Sequence, residues 1–98
     1  MAQTKMTTEQ VQKQLADLPG WAVKDEKLSR EFSFDSFVVA FGWMASIALV
    51  AESMNHHPEW KNVYSRVSVQ LTTHDAGGIT ASDFRLAAEM NRLAGDTP

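Results

Sequence analysis

An α+β fold, a four-stranded antiparallel sheet covered by helices in the order α-β-β-α-β-β-α, is predicted by three patterns in this 98-residue chain. Residues 21–34 and 59–73 each contain two runs of alternating character, the mark of a β-hairpin. Each hairpin is followed by a helical segment, an order that favours an antiparallel sheet with helices packed on it. The length suits one domain, 1–98, with a single modest core.

Residues 1–6 read as a frayed start and residues 95–98 as a frayed end. Thr7 with Gln10 three positions on forms a capping-box pattern, and Val11, Leu15 and Leu18 then mark one stripe of a short helix. Pro19-Gly20 ends it. Trp21 and Val23 alternate with polar neighbours, and after Asp25-Glu26 the alternation resumes at Leu28, Arg30, Phe32 and Phe34. Shared parity makes the aromatic rings of this hairpin core residues.

Asp35 or Ser36 can cap the second helix, which is expected to run to about Asn55. From Phe37 to Ala51 only Gly42 and Ser46 are not apolar, and no residue is charged. That run falls short of the about 20 apolar residues that cross a bilayer, and no membrane association is expected. A helix apolar all round is buried on more than one side. One face covers the sheet, so self-association through the Phe37 to Ala51 helix is expected; a fully wrapped core helix is the alternative. Pro58 disfavours helical backbone at His57. In the second hairpin Val67, Val69, Leu71 and Thr73 share one face, and His74 has the parity of the other. Thr80 opens the last helix, whose inner stripe is Leu86, Met90 and Leu93.

Composition removes several functions. Nine Lys and Arg against twelve Asp and Glu give a net charge of −3, unlike the basic face of a nucleic-acid binder. With no cysteine there is no disulfide, thiolate nucleophile or cysteine zinc site. Residues 1–5 lack the apolar core of a signal peptide, so a cytoplasmic protein is expected.

What remains is histidine chemistry. His56, His57 and His74 are all the histidines in the chain and fall within residues 56–74. Imidazoles at the ends of elements can give a proton to a leaving hydroxyl or take one up, and a nearby carboxylate would orient them. Asp83 and Glu52 are the acidic candidates. Each residue also has a structural reading. A histidine at a helix C-terminus satisfies terminal carbonyls. Asp83 completes a capping box with Thr80, Glu52 can be a solvent-facing helix residue, and Trp60 and Tyr64 can pack. Adjacent histidines bind one metal ion poorly, so no metal site is expected.

The spacing of Glu52, His56-His57-Pro58, Tyr64, His74 and Asp83 resembles the pterin-4a-carbinolamine dehydratases. The surrounding segments Ala40-Phe-Gly-Trp-Met44, His56-His-Pro-Glu-Trp60 and Thr72-Thr-His74 are similar too. The resemblance covers roughly residues 18–93. It implies elimination of water from a 4a-hydroxytetrahydropterin to give quinonoid dihydropterin, in tetrahydrobiopterin recycling, with no cofactor. Carried over by position, His56 and His74 would be acid–base groups near the 4a-hydroxyl. His57 would bind or orient substrate, supported by Asp83. Asn55, Trp60 and the segment Thr72, Thr73, His74 and Asp75 would hold the pterin, partly through backbone groups. Many family members have Asp where this chain has Asn55; an amide can hydrogen-bond a pterin but cannot act as a base. The resemblance also implies homodimers or homotetramers. A non-catalytic dimerisation module, as animal relatives provide for a transcription factor, is the competing reading.

Overall fold

The computed structural model describes residues 3–95. Its elements are α1 (Thr8–Leu15), β1 (Ala22–Lys24), β2 (Lys27–Ser33), α2 (Phe37–Met54), β3 (Glu59–Val63), β4 (Arg66–Leu71), a 3-10 turn (His74–Ala76) and α3 (Ala81–Ala94). The strands form one antiparallel sheet in the order β1-β2-β4-β3. The two hairpins therefore join through their second strands, and the α+β order read from the sequence is the order observed.

Local chemistry explains each turn. Asp25 and Glu26 both take positive φ, 53° and 62°, giving a two-residue hairpin loop whose twist matches its strands. The second hairpin turns at Tyr64 and Ser65. Asn62 braces it by donating from Nδ2 to the carbonyls of Tyr64 and Arg66, each at 2.9 Å. Tyr64 has left the strand, with φ 52° and 82% exposure, so it does not pack as its sequence parity suggests. The regular part of β4 stops at Leu71, and Thr73 makes only an isolated bridge to Gly78. His74 accordingly opens the 3-10 turn instead of ending a strand. Gly77 closes that turn at φ 76°, backbone that a Cβ would strain.

The core lies between one sheet face and the helices. Leu28 and Phe32 of β2 and Val67, Val69 and Leu71 of β4 meet Ala40, Trp43, Ile47 and Ala51 of α2 and Phe84, Leu86, Ala87 and Met90 of α3. In α3 the inner stripe includes Phe84, whereas Leu93 sits at the rim, 39% exposed. Leu18 is buried as its spacing predicts, but from the turn after α1. Trp43 Nε1 donates to the Met90 carbonyl at 3.1 Å and ties α2 to α3. Arg30 has core-face parity and is accommodated there. Its guanidinium lies 4.2 Å from the centroid of Phe32 and donates to Asn91 Oδ1 at 2.6 Å and the Pro19 carbonyl at 3.1 Å.

Two expectations change. Residues 3–6 do not fray: Met6 N–H donates to the Ile79 carbonyl at 2.8 Å, and the Gln3 side chain reaches Thr80 and Ser82. Residues 1, 2 and 96–98 lie outside the described residues. Second, the helix adds residues 52–54 to the apolar run. At 18 residues and mean hydropathy 1.7, α2 is long and apolar enough to cross a membrane by length and composition alone, so length does not exclude it. Its inner stripe is built into the core, while Phe37, Val38, Val39, Phe41 and Leu49 are exposed.

Two measurements follow from this packing. Buried Asn91 accepts from Trp21 Nε1 at 2.8 Å and donates from Nδ2 to the Pro19 carbonyl at 3.0 Å. Asn91→Leu strands the indole donor, and about 2–3 kcal/mol of stability is lost in a urea titration with an unchanged m-value; an unshifted midpoint would show that the network is dispensable. On the exposed sheet face, the Lys27 ammonium donates to Glu59 at 2.7 Å and holds that carboxyl below its ordinary value of 4.5, with His74 adding a smaller pull. A lowered folded-state pKa stabilises the fold above the unfolded value. That contribution is lost as pH falls through the folded value. Lys27→Met is expected to return the Glu59 midpoint towards 4.5, read by carboxyl-carbon NMR; an unmoved midpoint would remove Lys27 as the cause.

Candidate active site

The site begins with the way α2 stops. Asn55 adopts left-handed backbone, φ 52° and ψ 44°. Its N–H donates to the Glu52 carbonyl and the His56 N–H reaches back to the Ala51 carbonyl, each at 3.0 Å. This Schellman closure uses carbonyls that a helix end leaves unpaired. Asparagine tolerates the left-handed region better than most residues, which gives Asn55 a backbone role independent of its side chain. Pro58 then prevents the chain from re-entering a helix. The two histidines consequently diverge: His56 turns inwards and is 8% exposed, whereas the His57 side chain is 60% exposed.

His56 turns towards Asp83, with Nε2 at 2.5 Å from Oδ1. Asp83 is fully buried in the first turn of α3. Its second oxygen, Oδ2, accepts the Thr80 N–H at 2.8 Å and the Thr73 hydroxyl at 2.8 Å. The capping reading of Asp83 is observed through Oδ2, and Oδ1 remains to face His56. One correction follows: Asp83 supports His56, not His57. His57 instead pairs with Glu52, Nε2 to Oε1 at 2.8 Å, on the protein surface. With Asp83 holding Nε2, the His56 ring is fixed and Nδ1 is the nitrogen left for other partners.

His74 is different again. Its side chain is 80% exposed, and Nε2 lies 3.2 Å from Glu59 Oε2, within the small network that includes Lys27. Such an exposed contact restrains the ring without burying it.

A cleft of about 480 Å³ joins these groups. Asn55, His56 and His57 line it from the end of α2, and Thr72, Thr73, His74 and Asp75 from the segment after β4, with Met54 and Gln3. Its volume lies in the range of small-molecule sites. Two expectations are corrected here. Trp60 does not line the cleft: its ring packs on the core, 6.2 Å from that of Trp43. Thr73 offers no free backbone group, since its N–H donates to Gly78 and its carbonyl accepts from Ala76, Gly77 and Gly78. Its hydroxyl is committed to Asp83 and Thr80, so Thr73 supports the wall of the cleft. Gln3 escapes a reading of the sequence because an isolated polar residue near a chain start carries no periodic or motif signal. Among the described residues, no group of three or more His, Asp or Glu side chains is placed to hold a metal ion.

The chain matches the family described as Pterin 4 alpha carbinolamine dehydratase over residues 4–93. A protein of Solibacter usitatus, provisionally named a pterin-4-alpha-carbinolamine dehydratase, is 54% identical over 91 residues, covering 93% of this chain and 96% of the relative. A Rhizobium johnstonii protein with the same provisional name is 56% identical over 86 residues, or 86% and 85% of the two chains. The crystal structure of a transcriptional coactivator/pterin dehydratase from Brucella melitensis superposes with a TM-score of 0.92 at 44% identity. The match covers 94% of this chain and all of that one. Sequence and fold agree, and the chain belongs to the pterin-4a-carbinolamine dehydratase family.

Proposed function

We propose that this protein eliminates water from a 4a-hydroxytetrahydropterin to give quinonoid dihydropterin, by histidine acid–base catalysis. The observation that carries the reading is the meeting of three differently held imidazoles at one cleft, one of them locked on a buried carboxylate. Family membership supports the reaction class. In the reaction the C4a–O bond breaks, the hydroxyl leaves with an added proton as water, and the adjacent ring nitrogen's lone pair forms the new C=N bond. That nitrogen then releases a proton, so the elimination needs one proton donor and one acceptor and involves no net oxidation.

His74, exposed on the open wall, is suited to exchange protons with solvent between turnovers. His56, fixed through Nε2, presents an oriented imidazole from the end of α2. His57 and Asn55 hold the substrate from the helix end, with Thr72 and Asp75 from the segment after β4. Imidazoles working near neutral pH contribute about 10²–10⁴-fold by general acid–base catalysis. A role in tetrahydrobiopterin recycling, in the cytoplasm, accords with this chemistry.

The exposed face of α2 supports self-association. Val38, Phe41 and Leu49 are 77%, 56% and 75% exposed, and Ala45, Ala48 and Gly42 would allow close approach. Such a contiguous apolar strip marks an interaction surface. We propose a homodimer or homotetramer built on it. A protein-binding role, of the kind the word coactivator gives the Brucella melitensis protein, would use the same strip without needing the cleft.

Stopped-flow measurement of the dehydration, with substrate generated in situ and the spontaneous rate subtracted, tests the catalytic reading. His56→Ala and His74→Ala are each expected to lower the catalysed rate by about 10²-fold or more while the amide spectrum remains that of a folded protein. Full activity in both would remove the acid–base assignment. Separately, Ala48→Glu places a charge in the apolar strip, and sedimentation is expected to show monomers. An unchanged mass would mean that this face is not the interface.

A further inference from the structure

We infer that Gln3 is a positioning residue for His56, acting through the hydroxyls of Thr80 and Thr73 and through Asp83. The four groups stand in line. Gln3 Oε1 lies 2.9 Å from Thr80 Oγ1, which lies 2.7 Å from Thr73 Oγ1, which lies 2.8 Å from Asp83 Oδ2. The chain ends on His56, whose Nε2 faces the other oxygen of the same carboxyl. Gln3 is held in place at two further points. Its amide also contacts Ser82 Oγ at 2.7 Å, and Met6, a little further along, is tied to the Ile79 carbonyl.

Counting hydrogens shows what Gln3 supplies. The three contacts in the line need three hydrogens, and the two threonine hydroxyls own one each. With the amide oxygen of Gln3 facing Thr80, one contact has no hydrogen. Amide oxygen and nitrogen have the same shape, and the network decides which end faces inwards. Turning the amide puts Nε2 against Thr80 and Ser82, where its two hydrogens serve both oxygens. Thr80 then donates to Thr73, and Thr73 donates to Asp83. Every contact in the line gains a hydrogen, and each of those three hydrogens points towards the carboxylate that holds His56. The opposite direction requires the extra hydrogen to sit on Asp83. That carboxyl already receives the Thr80 N–H and stands in the first turn of α3, where the helix dipole favours a negative charge. Gln3 thus acts as the donor that sets the direction of a buried chain. Asp83 faces His56 from behind the cleft, and the titratable groups lining the cleft with His56 are His57, His74 and Asp75.

The experiment uses the full chain and two variants of near-equal size, Gln3→Glu and Gln3→Met. Imidazole nitrogen NMR of His56 at neutral pH is the first readout, with backbone amide spectra as a check on the fold. Both variants lack the donor, so both are expected to displace the His56 Nε2 resonance, Gln3→Glu the more because its oxygens face those of Thr80 and Ser82. Ser82→Ala, which removes one anchor of the amide, provides the same readout should a Gln3 variant not fold, with a smaller displacement expected. In the second readout, which rests on the dehydratase reading, kcat falls about tenfold in Gln3→Glu with little change in KM, as the loss of one hydrogen bond to an orienting group predicts. A wild-type His56 resonance in Gln3→Glu alongside a displaced one in Gln3→Met would reverse the chain and overturn the inference. Wild-type resonances in both would remove Gln3 from the positioning of His56. If the parent protein does not accelerate dehydration, the catalytic reading fails, while the NMR arm still decides the role of Gln3.

Discussion

The Asp83 carboxyl, shielded completely from solvent, is the constraint on which the architecture around the cleft depends. A buried carboxylate is tolerated only when its oxygens are satisfied, and here three elements are required to do it. The end of α2 sends His56, the segment after β4 sends Thr73, and the start of α3 sends its own Thr80 N–H. None of these can move alone without leaving a buried charge or donor unpaired. One side chain therefore locks together two helix ends and a strand exit that are far apart in sequence. The cleft is the space left where those ends meet.

The same constraint distinguishes three chemically identical side chains. His56 is rigid because its partner is buried. His57 and His74 are paired with Glu52 and Glu59 at the surface, where ion pairs contribute about 0–1 kcal/mol and leave rings free to turn. The proposed proton transfer would benefit from this division. One imidazole is oriented in advance, and others can exchange with water. The Glu59 carboxyl follows the same logic, since it is lowered mainly by Lys27 and only secondarily by His74.

The long helix serves two surfaces at once. Its inner stripe, Ala40, Trp43, Ile47 and Ala51, fills the core against β2 and β4 and holds α3 through the Trp43 indole. The outer face is nearly as apolar, so its composition fits bilayer, core and subunit contact alike. Anchoring of one stripe in the core is the observation that sets this helix apart from a simple membrane span, and the proposed assembly would cover the other.

Much of this is legible in the residues, because it depends on neighbours in sequence. Period-2 runs give the hairpins, Asp25-Glu26 their first turn, Thr7 and Gln10 the start of α1, and Pro58 the end of α2. The grouping of His56, His57, His74 and Asp83 is legible too, through a spaced pattern shared with a family. Their pairing is not. Position in the pattern assigns Asp83 to His57, yet the left-handed turn at Asn55 sends His56 inwards and His57 out. The resemblance gives Trp60 a substrate contact, whereas strand parity carries its ring to the core, the packing reading. Gln3 joins the site without any signal at all. Periodicity determines which face of an element is buried. Which side chains meet depends on the order β1-β2-β4-β3 and on how α2 and α3 cross that sheet, and those are properties of the whole fold.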